Sequence, residues 1–284
     1  MDTRERIEAA LGEVVDLFGH GLLTLERARM LTEPLEAVDL PEELNEATKL
    51  TIYLGRVQRV GLRAPHLAVV DLLHRHGIAG ATVLLGVDGT VHGRRERARF
   101  FGANARVPLM VIAVGDGARI AALLPELNEL LDQPLATLER VRVCKRDGEL
   151  LAEPRHLPAT DPSGLGVWQK LMVYTGEQAQ HAGRPLYREL ISRLRQEGAM
   201  GATSLRGIWG YHGDHKPHGD SFWQLRRRVP VVTVLVDEPD RIQRSFELID
   251  ELTTETGLVT SEMVPAFHAT GPALQHGGLR LARP

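Results

Sequence analysis

The chain contains two copies of one pattern. KLTIYLG, starting at Lys49, and KLMVYTG, starting at Lys170, are followed at the same offset of 121 residues by HGIAGATVLLGVDG (76–89) and EGAMGATSLRGIWG (197–210). After a loop that is longer in the second copy, VPLMVIAVGDGARI (107–120) matches VPVVTVLVDEPDRI (229–242). Such self-similarity indicates two structural units of one kind, so a single fold assignment has to explain both halves of the chain.

Patterns typical of strands and helices alternate within each copy. The opening segments are β-prone and stop at glycine, whereas residues 65–76 and 185–197 have apolar residues at helical spacing and end at Gly77 and Gly198. Second strands, nearly continuous apolar third strands, second helices and final strands complete each unit. The order β-α-β-β-α-β predicts an α+β chain of two tandem ferredoxin-like domains, each with two helices on one face of a four-stranded sheet.

The repeats divide the chain into five segments. We predict domains over residues 49–144 and 169–265, joined by a linker over 145–168 and followed by a flexible tail over 266–284. Residues 1–48 form a predicted N-terminal helical segment, with a second short helix over 22–31. This segment has two interpretations, a cap on the first sheet or a docking helix for a partner.

Composition excludes several classes of protein. With 284 residues, 43% of them hydrophobic, and a net charge of −3, the chain has cores to bury but no chain-wide basic field for a nucleic acid or an anionic membrane. It has no apolar run of about 20 residues, and its acidic N-terminus is unlike a signal peptide, so we expect a cytoplasmic protein. The single cysteine, Cys144, excludes an intrachain disulfide and is predicted to be a packed or edge-strand residue.

The repeated motifs resemble a known bacterial family, the domain of unknown function 190, also called uncharacterised protein family 0166, whose members are PII-like signalling domains. The resemblance rests on KLTIYLG, KLMVYTG, GRPLYRELISRLRQEGAMGATSLRGIWG and VPVVTVLVDEPDRI, and covers residues 49–143 and 170–265. It implies a trimer with small-molecule sites in clefts between subunits. It also implies a signalling loop between the second and third strands, at residues 87–106 and 208–228.

One departure from classical PII proteins concerns the phosphate site. Their glycine-rich, lysine-containing turn before the last strand is replaced here by LDQPLAT and TETGLVT. This argues against ATP binding in the classical manner and leaves another ligand or another pose open.

Arginines and glycines in and beside the two loops form a candidate anion site. Guanidinium groups bind phosphate bidentately, and glycines allow backbone N–H groups to approach an anion. We therefore predict a small anionic ligand, a nucleotide being the expected class, at the following residues: Gly86, Gly89, Arg94, Arg95, Arg97, Arg206, Gly207, Gly210 and Arg227. The alternatives are a solvated basic loop or an arginine-rich subunit contact.

The second loop, GYHGDHKPHGD, supplies a candidate site for a divalent transition metal. Imidazole and carboxylate groups suit zinc, nickel or copper. The candidate ligands are His212, Asp214, His215, His218 and Asp220. Ordering this glycine- and proline-containing loop would cost about 1–2 kcal/mol per residue, so a loop that contacts an anion or a partner, or one that is merely solvated, is an alternative to a metal site.

The sequence contains no nucleophile–base pair, P-loop or paired-carboxylate motif, and we predict no enzymatic activity. The leading hypothesis is a PII-like regulatory protein that binds an anionic ligand at inter-domain clefts. Two alternatives stay open: a metal-binding protein that uses the histidine-rich loop, and a scaffold that binds only protein, such as a regulator of a membrane transporter.

Overall fold

The computed structural model describes most of the chain. The described residues are 3–17, 20–26, 28–31, 47–56, 59–91, 94–97, 107–131, 134–162, 164–212, 217–219, 229–264, 266–270 and 273–276.

The elements are named here in chain order. The N-terminal segment contains α1 (Arg4–Leu17), β1 (His20–Thr24) and β2 (Arg29–Leu31). The first repeat contains β3 (Thr48–Gly55), α2 (Pro65–Arg75), β4 (Gly80–Leu85), β5 (Asp88–Val91), β6 (Arg94–Arg97), β7 (Pro108–Gly115), α3 (Gly117–Leu130) and β8 (Leu135–Arg140). The connecting segment contains β9 (Arg142–Arg146) and β10 (Glu149–Leu150). The second repeat contains β11 (Trp168–Gly176), β12 (Gln180–His181), β13 (Arg184–Pro185), α4 (Leu186–Gln196), β14 (Ala202–Arg206), β15 (Trp209–His212), β16 (His218–Gly219), β17 (Pro230–Asp237), α5 (Pro239–Leu252) and β18 (Leu258–Val264). The C-terminal strands are β19 (Ala266–Thr270) and β20 (Ala273–His276).

The β-α-β-β-α-β order predicted for each repeat is confirmed, as β3-α2-β4-β7-α3-β8 and as β11-α4-β14-β17-α5-β18. Gly77 and Gly198 directly follow the C-caps of α2 and α4 with φ of 66° and 75°, a conformation that glycine adopts without steric penalty. Arg119 and Arg241, at matching positions in α3 and α5, donate to the carbonyl oxygens of these glycines. Each repeat thus fastens its two helices to each other in the same way.

Each repeat has its own core between its helices and one face of its sheet. Leu72, Leu123 and Leu127 are fully buried against the first sheet, and Leu190 and Ile249 against the second. Cys144 lies in the second core, where burial raises the pKa of its thiol to about 12. The prediction that this cysteine is a packed residue is therefore confirmed.

The two sheets exchange strands. β15, which follows β14 of the second repeat, pairs with β4 of the first repeat, and β9, which follows β8 of the first repeat, pairs with β18 of the second. The first sheet therefore has the order β16-β15-β4-β7-β3-β8-β2, and the second has the order β10-β9-β18-β11-β17-β14. Both predicted four-stranded sheets are contained in these larger sheets: β4-β7-β3-β8 is extended at both edges, whereas β18-β11-β17-β14 is extended only beyond β18. An edge strand can accept a further strand because it carries unpaired backbone N–H and C=O groups.

A third apolar cluster lies between the faces of the two sheets that carry no helices. Leu84 and Ile112 of the first repeat pack there with Met172, Tyr174 and Val232 of the second. The strand exchange and this shared core join the two repeats into one body, so the predicted domain end at residue 144 falls inside β9.

The prediction of helix for residues 22–31 is wrong, because residues 22–24 belong to β1 and residues 29–31 form β2. β2 pairs with the edge of β8, and β1 pairs with β19, which continues into the hairpin β19–β20. The described part of the predicted tail is thus strand as well. β1, β2 and β19 each have a pairing partner far away in sequence, so local periodicity does not indicate these strands. Within the described residues, no helix is long and apolar enough to cross a membrane.

Candidate functional site

Gly86 and Gly207 occupy equivalent positions after β4 and β14. Their N–H groups donate to the carbonyl oxygens of Pro108 at 2.9 Å and Pro230 at 2.8 Å. A Cβ on Gly86 would lie 2.9 Å from the oxygen of Pro108, and one on Gly207 would lie 2.7 Å from Cγ of Pro230. The close approach of each glycine to a proline of the neighbouring strand therefore explains why a side chain is absent at both positions. Both N–H groups already donate to carbonyl oxygens of the protein.

Gly210 is required by the strand exchange. It lies in β15 with φ of 154°, and a Cβ there would lie 2.2 Å from the carbonyl oxygen of Ala81 in β4. Gly89, the matching residue of the first repeat, lies in β5 opposite Glu96 of β6.

The described members of the predicted arginine set belong to two different strands. Arg94, Arg95 and Arg97 lie in β6, which pairs with β5, whereas Arg206 at the end of β14 makes an ion pair with Glu177 at 2.6 Å. Arg227 lies outside the described residues. Anion binding by the arginines of the first loop stays a prediction.

Two of the five candidate metal ligands lie within the described residues. His212 ends β15, where its Nδ1 is 3.8 Å from Oδ1 of Asp147, and His218 lies in β16 opposite Gly210. Asp214, His215 and Asp220 lie outside the described residues, so the metal site also stays a prediction.

The most prominent polar feature of the described residues is a buried charge cluster between the repeats. Lys49 in β3 and Lys170 in β11 are equivalent residues, and they lie opposite Glu139 in β8 and Glu262 in β18. Lys49 Nζ is 2.7 Å from Glu139 and 3.0 Å from Glu262, and Lys170 Nζ is 3.2 Å from Glu262. Each lysine is less than 5% exposed, so both repeats direct charge into their common interface.

The N-terminal segment adds a third carboxylate. Glu26, which follows β1, contacts Nζ of Lys170 and lies 3.4 Å from Nζ of Lys49. We call Glu26, Lys49, Glu139, Lys170 and Glu262 the seam cluster. Its three carboxylates lie within 4.8 Å of one another, and the two ammonium groups already supply the positive charge that a metal ion would provide.

The seam cluster has more carboxylates than ammonium groups, and the pKa values of two of these carboxyl groups, Glu139 and Glu26, shift in opposite directions. Burial raises the pKa of Glu139 to about 7, and Glu26 and Glu262 add to this against the opposing effect of Lys49. Burial also disfavours ionisation of Glu26, but Lys170 and Lys49 together outweigh it and lower the pKa of Glu26 to about 2. A proton held by Glu139 therefore compensates for the third carboxylate.

Sequence reasoning missed this cluster although the repeat contained a signal for it. Lys49 and Lys170 begin matching apolar strands, and Glu139 and Glu262 stand at the fifth positions of LATLERVRV and LVTSEMVPA. A lysine repeated at the start of a buried strand requires a buried partner, and the antiparallel register of the first and last strands supplies it.

An arginine-lined cleft of about 190 Å³ opens beside the seam cluster. It lies where the end of the first repeat, the connecting segment and the second repeat meet. Its lining residues are Arg140, Val141, Arg142, Arg155, Leu157, Gln169, Ser261, Glu262 and Met263. Arg142 Nε donates to the carbonyl oxygen of Glu153 at 2.7 Å. Within the described part of the chain, neither Arg140 nor Arg155 makes an ion pair with a carboxylate, and Glu262 is the single carboxylate among the lining residues. We call it the arginine cleft.

Gln169 forms a polar wall of the arginine cleft. Its side chain is buried, with Nε2 donating to Ser261 Oγ at 2.9 Å and to the carbonyl oxygen of Arg155 at 3.3 Å. Its Oε1 has no hydrogen-bond partner among the described residues. A buried acceptor left in this state costs about 1–3 kcal/mol, which a donor on a ligand would recover.

A second, larger cleft of about 450 Å³ adjoins the first. Both clefts are lined by Val141 and Arg142, and the larger one extends to Asp116 at the start of α3 and to Arg146 in β9. Arg142 therefore stands between the two spaces.

Comparison with known proteins assigns the family. The model of domain of unknown function 190, described as an uncharacterized ACR, matches residues 47–143 and 168–266, which is more than half of the chain. The chain belongs to this family. The two matches coincide with the two repeats, so the resemblance seen in the repeated motifs is confirmed.

Two curated relatives correspond to single repeats. A UPF0166 protein of Aquifex aeolicus is 34% identical over 98 residues, which cover 34% of this chain and 91% of that protein. A UPF0166 protein of Methanocaldococcus jannaschii is 30% identical over 89 residues, or 31% of this chain and 82% of that protein. The crystal structure of an unknown protein from Galdieria sulphuraria aligns with 77% of this chain and 96% of that one, at 11% identity and a TM-score of 0.21.

Proposed function

We propose that this tandem DUF190 protein is a non-enzymatic regulatory protein that binds a small anionic ligand in the arginine cleft. The observation that carries the proposal is the convergence of Arg140, Arg142 and Arg155 on one cleft, together with the unpaired acceptor of Gln169. Guanidinium groups in a partly enclosed site bind phosphate or carboxylate through charge-assisted hydrogen bonds.

The position of the cleft suits regulation. Arg140 ends the last strand of the first repeat, Arg155 belongs to the connecting segment, and Gln169 and Ser261 belong to the second repeat. A ligand that contacts all three parts stabilises one arrangement of them over others, and such differential binding is what shifts a conformational equilibrium. Relay to a protein partner, with a membrane transporter as one candidate, is part of the proposal.

The ligand class follows from the two kinds of group in the cleft. The arginines require an anion, and Gln169 Oε1 requires an N–H or O–H donor. A nucleotide carries both, in its phosphate and in its base or ribose. The adjoining space of about 450 Å³ provides room for the remainder of such a molecule.

A thermal-shift screen of nucleoside phosphates, cyclic dinucleotides and inorganic phosphate, followed by calorimetric titration of the hits, tests this proposal. A ligand present at 100 times its Kd stabilises the folded state by about 2.7 kcal/mol. Arg140→Gln and Arg155→Gln should each weaken binding about 10-fold or more, because a hydrogen bond to a charged group contributes about 1.5–3 kcal/mol.

Arg195→Gln is the matched control, since Arg195 is exposed on α4 away from the cleft. It should leave the affinity unchanged. A flat response to all the anions, or equal losses in the control and the two cleft variants, would overturn the proposal.

A further inference from the structure

The strand exchange between the repeats is incomplete on one side. β15 of the second repeat extends the first sheet at β4, but β14, the equivalent of β4, is the last strand of the second sheet. Counting back 121 residues from β15 gives residues 88–91, which are β5. Among the described residues β5 pairs only with β6, just as β15 pairs on its other side with β16. The described part of the chain therefore has one unused donor strand and one unused acceptor edge of the same kind.

Solvent exposure confirms that the acceptor edge is uncovered. Leu84 of β4 is 8% exposed, whereas its equivalent Leu205 of β14 is 40% exposed. Thr82 is buried, and its equivalent Thr203 is exposed. The same pattern of side chains is thus covered in one repeat and open in the other.

The donor side shows the same difference. Ile208, which precedes β15, packs against the first core and donates its N–H to the carbonyl oxygen of Val83 at 2.8 Å. Its equivalent Val87, which precedes β5, is 74% exposed. An apolar residue is therefore displayed beside β5 at the position that anchors β15.

Gly89 is the residue of the first repeat that matches Gly210. At the equivalent Gly210, a Cβ would lie 2.2 Å from the carbonyl oxygen of Ala81, so the approach of β15 to β4 excludes a side chain. Gly89 carries the same absence of a side chain on the unused strand. Docking of β5 onto an edge like β4 would account for it.

We propose that β5 of one chain adds to β14 of a second copy of the same chain, with the register that β15 adopts on β4. Trp209 lies opposite Val83 and Gly210 opposite Thr82, so Asp88 would lie opposite Ser204 and Gly89 opposite Thr203 of the neighbour. This contact joins unlike surfaces head to tail, so its repetition forms a ring if the rotation between chains closes and an open filament if it does not.

The contact between chains should be weaker than the exchange within the chain. Asp88 and Thr90 are the repeat equivalents of Trp209 and Tyr211. Both of these aromatic residues pack against the first core, and the buried Tyr211 donates its hydroxyl to the carbonyl oxygen of Ile78 at 3.0 Å. Less apolar surface is therefore buried between chains. The assembly should dissociate on dilution, whereas the pairing within the chain persists.

Sedimentation and light scattering of the full chain over a range of concentrations test the proposal. We expect association that Gly89→Val abolishes, with Gly12→Val as the control because a side chain at Gly12 meets nothing within 4 Å. Asp88→Trp combined with Thr90→Tyr should shift the midpoint of association to at least about 10-fold lower concentration. A monomer at all concentrations in both the parent chain and this double variant, or association that Gly89→Val leaves intact, would refute the proposal.

A cysteine pair tests the register. Chains with Asp88→Cys and chains with Ser204→Cys, produced together, should form a disulfide between chains on mild oxidation, while Cys144 stays buried and unreactive. Leu205→Cys in place of Ser204→Cys is the control, since neighbouring residues of a strand point to opposite faces. Equal yields from the two pairs, or a disulfide formed only within a chain that carries both substitutions, would refute the assignment.

Discussion

Replacing Glu139 by glutamine is expected to change how the stability of the protein depends on pH. The seam cluster has three carboxylates against two ammonium groups, and burial raises the pKa of Glu139 to about 7. The folded chain therefore binds a proton at Glu139 that the unfolded chain releases near the ordinary value of 4.5. Glutamine has the shape of the protonated carboxyl group and does not titrate, so it removes this difference.

The magnitude follows from linkage. Because the pKa of Glu139 is higher in the folded chain, its contribution to stability is complete below pH 4.5 and is lost as the pH rises through about 7. The interval between 4.5 and about 7 corresponds to about 3 kcal/mol of unfolding free energy. Since the Glu139 side chain is only 7% exposed, no large reduction for solvent screening applies.

Urea unfolding of the full chain at pH 4.5 and at pH 8 measures the effect. The variant should gain about 3 kcal/mol relative to the parent chain on going from the lower to the higher pH. Glu129→Gln, an exposed substitution on α3, should show no such change. If the parent chain and the Glu139 variant keep a constant difference in stability across this range, the inferred proton on Glu139 is not there.

Three further predictions concern Glu26, Gly210 and the histidine-rich loop. Glu26 contributes stability that is present above pH 4.5 and is lost as the pH falls toward 2. Urea unfolding at pH 7 should therefore show that Glu26→Gln lowers the unfolding free energy by about 2 kcal/mol, a value reduced because the side chain is one-third exposed. Gly210→Val should separate β15 from β4 and raise the rate of proteolysis in this region, whereas Gly201→Ala, with nothing within 4 Å, should not. Dialysis against zinc, nickel or copper should leave no stoichiometric metal on the protein, because the entropy cost of ordering the histidine-rich loop opposes binding. Retention of one metal equivalent that His215→Ala and His218→Ala both remove would favour the metal-binding alternative.

The repeated fold was predictable because its signals are local. Apolar periodicity and terminal glycines such as Gly77 specify the helices and strands of each repeat from neighbouring residues alone. The pairing of β15 with β4 was not predictable, since the segment WGYH does not specify which strand it pairs with and its partner lies in the other repeat. The same holds for β2 on the edge of β8.

For the candidate site, the sequence contained the relevant residues but suggested different roles for some of them. The sequence pattern predicts phosphate-binding roles for Gly86, Gly207 and Gly210, and the structure shows close backbone or proline contacts at each of them. Lys49 and Glu139 are 90 residues apart in the chain, so their pairing becomes visible only when the register of β3 and β8 is known. The arginine cleft was missed because its residues come from three segments, one of them the predicted linker.

Glu262 connects the two polar features of the seam, because it lines the arginine cleft and also belongs to the seam cluster. An anion bound among the cleft arginines would add negative charge beside Glu262, whose carboxylate lies within 4.8 Å of that of Glu139. This favours the protonated form of Glu139, and by reciprocity the protonated form favours the anion. Affinity for the ligand should therefore rise as the pH falls through about 7.

Calorimetric titration of the nucleotide selected by the screen, in buffers with different ionisation enthalpies, measures the protons taken up on binding. Near pH 7 the parent chain should take up a fraction of a proton per ligand. Glu139→Gln should bind the ligand without this uptake, because it removes the titrating group and leaves the arginines in place. Proton uptake that is the same in the parent chain and the variant would show that the ligand and the seam cluster do not communicate through Glu262.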